Sequence, residues 1–245
     1  MANSHLLTST IKCMALLDVL TEYSHAVSVS DLASRVGTSR GRVHQQLSTL
    51  VACGWVEWLE GAKYRLTLRA AVVLHSALEQ ADIGERIRPQ LEELASAAGQ
   101  AVSIAVLDRG EALIVQRAES GHVLRADVGV GTRMPLDGSA SGRILAAFVP
   151  SEKLEALRRD GIRLPEEEAL VRVRREGIVV SVNEFLGGGF AVAVPVLDVG
   201  GGLLGALSAA GPTSRLDLEL IPKELRAAAL RMGRTLHGHS EDDQS

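Results

Sequence analysis

Residues 39–52 carry side chains whose types and spacing suit the reading of nucleic acid. At about 100° per residue, Val43, Leu47, Leu50 and Val51 fall on one side of a helix. Gln45 and Thr49 fall on the opposite side, with Gly41 and Ser48 beside them and Arg42 and His44 flanking. Glutamine pairs with adenine N6/N7 and arginine with guanine O6/N7. Arg40 near the helix start and Lys63 in a later turn are better placed for phosphate, and free amides at a helix start, near Ser39, favour phosphate as well. An isolated polar face of this kind is ordinarily just solvated. The elements around it decide.

Other chemistry-bearing residues give weaker patterns. Ser139, Ser141 and Ser208 all lack the Gly-x-Ser-x-Gly frame of a nucleophile elbow. Of the seven histidines, only His122 lies in the body of the second half, which leaves a metal site there short of ligands. His237 and His239 belong to a polar C-terminal end. Glu184 alone is weak grounds for a general acid; a hydrogen-bonded turn suits it better. Gly187-Gly188-Gly189 and Gly200-Gly201-Gly202 are turns that open no helix, so neither reads as a phosphate loop. No enzyme, cofactor or metal is expected.

The elements that must position these residues are legible from periodicity. Thr8 to Tyr23 places apolar residues at helical spacing. Ser28 or Ser30 caps a short helix that Gly37 ends, and Thr38 or Ser39 caps the next, which runs to about Cys53. Two short strands, 56–59 and 64–66, follow around residues 60–63. Helix, helix, turn, helix and hairpin make a winged helix-turn-helix. A linker helix spans 68–80 and another 85–98. From Ala101 the period changes to strands at 101–107 and 112–117. Helices follow at 139–148, 151–159 and 166–175, strands at 177–182, 190–197 and 203–210, and a closing helix at 216–236. The expected fold class is α+β: an N-terminal winged helix-turn-helix, all-α with a β-wing, and a C-terminal antiparallel-sheet domain. The expected domains are 1–75, with the linker helix 68–80, then 81–240, and a flexible tail 241–245.

Composition bounds the rest. Of the 245 residues, 46% are hydrophobic and only 3% aromatic, so Ala, Val, Leu and Ile must build the cores. Net charge is −4, but residues 1–75 carry seven Lys/Arg against five Asp/Glu, so the negative excess lies in the remainder. The N-terminus shows no basic-then-apolar signal region. The apolar stretch 189–211 is broken by Asp198 and three glycines, so it reads as two strands and a turn, not a membrane span. Cys13 and Cys53 are expected to be buried free thiols, and the compartment to be the cytoplasm.

With the order of elements established, the sequence resembles the IclR family of bacterial transcriptional regulators over nearly its whole length. The resemblance rests on VGVGTRMPLDGSASG at 128–142, on Asn183-Glu184 through Asp198, on GALSAAGP at 205–212 followed by Arg215-Leu216, on Val43-His44 with Leu47 and Thr49-Leu50, and on Tyr64-Arg65-Leu66. It implies a GAF-like effector domain, dimers or dimers of dimers, and control by a small metabolite, often an organic acid or aromatic compound. The positions matching the family's ligand-lining residues are Val123, Ala126, Met134, Ala140, Ser141, Ser181, Gly189, Ala191, Ser208 and Ala210. Departures are Asp137 for a frequent His, Ser181 for an acidic residue, Ala191 for a common Cys, Ala210 for a second Ser, Gly41-Arg42 for a Ser-Thr pair, and Gln45 for a frequent Arg.

Read from the residues, Ala140, Gly189, Ala191 and Ala210 have little side-chain volume, so a cavity among them is expected to be roomy. Ser141, Ser181 and Ser208 supply donors and acceptors, and the amides of Gly138–Ser141 suit an anion. The same small residues also suit tight packing of sheet on helix. The resulting expectation is a homodimeric or homotetrameric regulator, a repressor, of a catabolic or metabolic operon. It binds an imperfect palindrome of double-stranded operator DNA and senses a small-molecule effector, with no membrane association. DNA contacts are expected from Ser39, Arg40, Arg42, His44, Gln45, Thr49 and Lys63. The alternatives are an enzyme domain fused to a DNA-binding domain and an architectural DNA-binding oligomer without an effector.

Overall fold

The computed structural model describes residues 6–80, 85–120, 128–183 and 188–237. The chain divides into two compact units, residues 1–78 and 79–245. Val123, Ala126, His122, Glu184, His239 and the tail 241–245 lie outside the described residues. No helix among the described residues is long and apolar enough to cross a membrane.

In the first unit, α1 (Thr8–Leu20), α2 (Val29–Val36) and α3 (Arg40–Ala52) pack beside a three-stranded antiparallel sheet. Its order is β1 (Val27–Ser28), β3 (Lys63–Leu66), β2 (Val56–Leu59). The Ser28 hydroxyl caps α2 by accepting the Asp31 amide at 3.2 Å. Gly37 ends α2 in the left-handed region (φ 72°), where glycine carries no Cβ penalty, and its N–H bonds the Ala33 carbonyl. That stop turns the chain sharply into α3. At the far end of α3, the Thr67 hydroxyl donates to the Gly54 carbonyl at 2.7 Å and Arg69 Nη1 to the Cys53 carbonyl at 2.5 Å. The Arg69 guanidinium also lies over the Trp55 ring at 5.3 Å, a cation–π contact. The core is Leu16, Leu20, Val27, Leu32, Val43, Leu47, Leu50, Val56 and Tyr64.

Several sequence expectations change here. Val51 is exposed, because the core side of α3 is carried by Val43, Leu47 and Leu50. Ile11 and Met14 are exposed, and α1 ends at Leu20, with Leu16 and Leu20 as its buried i, i+4 pair. The Thr21 hydroxyl bonds the Asp18 carbonyl there. Cys13 is half-buried and Cys53 exposed, against the expectation of buried thiols. The cause at Cys53 is position: it is the residue just past the last turn of α3.

The helix α4 (Arg69–Gln80) buries none of its residues, and Leu68, Val72, Val73 and Leu74 are exposed. In the second unit a 3-10 turn (Glu85–Ile87) precedes α5 (Arg88–Ala98), so the regular helix starts later than periodicity suggests. Six strands form one antiparallel sheet: β4 (Ala101–Asp108), β5 (Glu111–Ala118), β6 (Arg133–Pro135), β7 (Val179–Val182), β8 (Gly189–Leu197) and β9 (Leu203–Pro212). Their order is β6-β5-β4-β9-β8-β7. The helix α6 (Ala140–Phe148) covers one face, where Ile144 and Leu145 cluster with Ala105, Ala112, Ile114, Ala193 and Ala206. Behind it lies α8 (Glu167–Glu176), after α7 (Ser151–Arg159). The other face carries α5 and α9 (Leu220–His237).

β7 begins at Val179, because Gly177 is the left-handed stop of α8 (φ 63°). The closing helix begins at Leu220, not Leu216. Asp217 accepts the amides of Leu220 at 2.8 Å and Glu219 at 2.9 Å, and these bonds hold its carboxyl below the usual carboxylate range. β1 and β6 are strands that periodicity does not reveal, being two and three residues long.

Candidate nucleic-acid interface and ligand cavity

In the first unit, Ser39, Arg40, Arg42, His44, Gln45 and Thr49 are all exposed at or on α3, and Lys63 is exposed at the start of β3. Ser39 occupies the cap position of α3 without a side-chain cap bond. The Thr49 hydroxyl donates back to the Gln45 carbonyl at 3.1 Å, which leaves its oxygen free to accept. The charges divide by role. Arg35 pairs with Glu22 at 2.6 Å and Arg65 with Glu57 at 2.5 Å, and Arg69 is held against α3. Arg40, Arg42 and Lys63 have no ion-pair partner among the described residues. A cation that folding does not neutralise is available to phosphate or a base edge. A groove along α1 and α3 brings Lys12 and Gln46 together with Arg42, Gln45 and Thr49. Sequence reasoning missed Lys12, because only the packing of α1 on α3 brings it there.

In the second unit, the sheet places two rows of residues beneath α6. Ser103 of β4 pairs with Arg117 of β5 and Ser208 of β9, and Ser208 pairs with Ala193 of β8. In the next row, Ala210 pairs with Ala101 and Ala191, and Ala191 with Ser181 of β7. Paired residues point to the same face, and Ala193 belongs to the cluster with α6. Met134, Ala140, Ser141, Ser181, Gly189, Ala191, Ser208 and Ala210 all line one cavity on that side.

The start of α6 is held by Ser139, whose hydroxyl donates to the Pro135 carbonyl at 2.8 Å and accepts the Gly142 amide at 3.0 Å. A Cβ at Gly142 would strike the Pro135 carbonyl oxygen and the backbone of Leu136, so glycine permits this close approach. Ser141 and Ser181 are buried, and neither hydroxyl has a hydrogen-bond partner among the described residues. Ser208 makes only a long bond, 3.5 Å, to the Ser103 carbonyl. Hydroxyls that face a cavity without a protein partner can donate to or accept from what enters it.

The cavity measures about 50 Å³, which corrects the expectation of a roomy one. An engineered apolar cavity that takes benzene measures about 150 Å³. Small residues floor the space, but α6 sits down close upon them. Ser103, Ile114, Arg117, Val128, Ser139 and Phe190 also line it and are not among the lining positions that the resemblance implies. The signal available for Ser103 was a polar residue inside an otherwise apolar strand.

Comparison with known proteins places both units. Residues 9–60 match the IclR helix-turn-helix domain, and residues 75–236 match the C-terminal domain of bacterial transcriptional regulator IclR. The chain is 27% identical to the HTH-type transcriptional regulator XynR of Escherichia coli (strain K12), covering 94% of this chain and 98% of that one. It is 29% identical to the DNA-binding transcriptional repressor YiaJ of the same organism, covering 85% and 79%. Its fold matches that of an IclR homolog from Microbacterium hydrocarbonoxydans complexed with 4-hydroxybenzoate, with a TM-score of 0.73, 22% identity, and coverage of 91% and 98%.

Proposed function

The chain belongs to the IclR family of bacterial transcriptional regulators, and from that premise we propose that a small organic acid held beneath α6 controls its affinity for operator DNA. The observation that carries this reading is the cavity lined by under-used serine hydroxyls at a helix start. Ligand sites combine apolar walls with a few placed polar groups. The anionic end of the effector faces Ser141 and the first amides of α6, with Ser181 or Ser208 orienting it. The rest of the ligand is an apolar ring or branched body.

A ring does not fit a space of about 50 Å³ as it stands. Binding must therefore open the site, with Met134, an adaptable side chain, giving way against α6. A ligand that fits only an opened state shifts the protein towards it, and that shift is the signal. Operator affinity changes through it, and the coupling is reciprocal.

Domain roles follow the expected boundaries, with residues 1–75 reading DNA and 81–240 sensing. Self-association joins two reading units on an imperfect palindrome. It is supported by α4, none of whose residues is buried and whose Val72, Val73 and Leu74 are exposed. Repression, the mode named for YiaJ, is the mode proposed here, in the cytoplasm, on a catabolic or metabolic operon.

Arg42 and Gln45 read bases, while Arg40 and Lys63 bind phosphate. Replacing Arg42 or Gln45 with Ala costs about 1–3 kcal/mol on the cognate site and relaxes preference at one base pair. Fluorescence anisotropy on the site and on its single-base variants measures this. An equal loss on every sequence would reassign the residue to phosphate.

A further inference from the structure

Among the described residues that line the cavity, Arg117 is the only charged one. Its side chain is 8% exposed and shares a face with Ser103, its cross-strand partner. The Nε–H donates to Glu119 Oε1 at 2.7 Å, and Glu119 is half-exposed. Nη1 and Nη2 have no acceptor among the described residues. A guanidinium bonded on one edge only, on a side chain largely shielded from solvent, can take another acceptor.

Serine hydroxyls bond neutral and anionic oxygens alike, and helix-start amides favour an anion through a partial charge only. A full positive charge strengthens the bond to an anion far more selectively. We propose that Arg117 makes this cavity select an anion: a carboxylate of the ligand takes its free Nη edge, and Glu119 is the built-in competitor for the same guanidinium. The inference rests on the cavity being the effector site and adds the residue that sets the charge of what enters. Glu119 lowers affinity in two ways, by holding the guanidinium and by repelling the incoming carboxylate.

The test is calorimetry on the whole chain with four acids (benzoate, 4-hydroxybenzoate, phenylacetate and 3-methylbutanoate), each beside its neutral amide. The wild type prefers at least one acid to its amide. Arg117→Gln weakens that acid roughly 10- to 100-fold and leaves the amide nearly unchanged, so the preference collapses. Arg117→Lys keeps the preference at reduced affinity. Glu119→Gln, at a half-exposed site, tightens the acid by about 2- to 5-fold. If Arg117→Gln fails to fold, the Lys and Glu119 variants decide: an acid affinity unmoved by Glu119→Gln overturns the proposal. An acid that binds the Gln variant as well as the wild type, yet is lost in Ala191→Leu, overturns the role of Arg117 and leaves the cavity reading standing. Should no acid in the panel bind the wild type, both readings fall.

Discussion

A fragment of residues 1–78 is expected to bind a full operator roughly 10²- to 10⁴-fold more weakly than the whole chain, the gain that linking two sites typically gives. The fragment retains its own core, from Leu16 on α1 to Tyr64 on β3, so circular dichroism should show it folded. What it lacks is number of contacts. Arg40, Arg42 and Lys63 are the cations of the reading face without ion-pair partners among the described residues, with Lys12 beside the groove. Few phosphate contacts give weak binding at physiological salt. Joining two reading units turns the second half-site into an intramolecular contact. The slope of log affinity against log salt should accordingly be about half as steep for the fragment. Equal affinity of fragment and whole chain would show that one unit suffices and that self-association serves another purpose.

The second large effect is expected at Ala191. This residue sits on β8 between Ser181 and Ala210, in the row beneath α6. Leucine adds an isopropyl group to a space of about 50 Å³ and fills it. Overpacking of a well-packed site costs about 1–3 kcal/mol, and a ligand has to meet that cost on entry. Ala191→Leu should therefore weaken effector binding by ~10- to 100-fold, while operator binding without effector stays within about 2-fold. A thermal-shift series reads both, since a ligand that binds only the folded state raises the midpoint. An undiminished shift in the Leu variant would move the effector site elsewhere in the unit.

Much of this architecture is visible in the sequence, and the gaps have physical causes. The caps and stops of the first unit are local: Ser28 and Gly37 each act within one turn of helix, and the Val43-Leu47-Leu50 stripe within two. So are the hairpins at 108–111 and 198–202. Sheet order is not local. The pairing of β4 with β9 joins residues about a hundred apart in sequence, and no periodicity announces it. The resemblance identified eight of the described lining residues; geometry added six more, among them Ser103 and Arg117, which share a row only once β4 and β5 pair. Cavity size also escaped the sequence. Small side chains suggest space, but how closely α6 approaches depends on Gly142 resting against the Pro135 carbonyl.

The most direct test of the account is selection of DNA from a randomised pool by the whole chain, followed by affinity measurement on the enriched site with and without an acid that binds the cavity. The expected site is an inverted repeat, bound far more tightly than scrambled DNA. Adding the acid should change that affinity by roughly 5- to 150-fold, and Ala191→Leu should abolish the change. Enrichment of no sequence, or an operator affinity that saturating acid leaves unchanged, would contradict it.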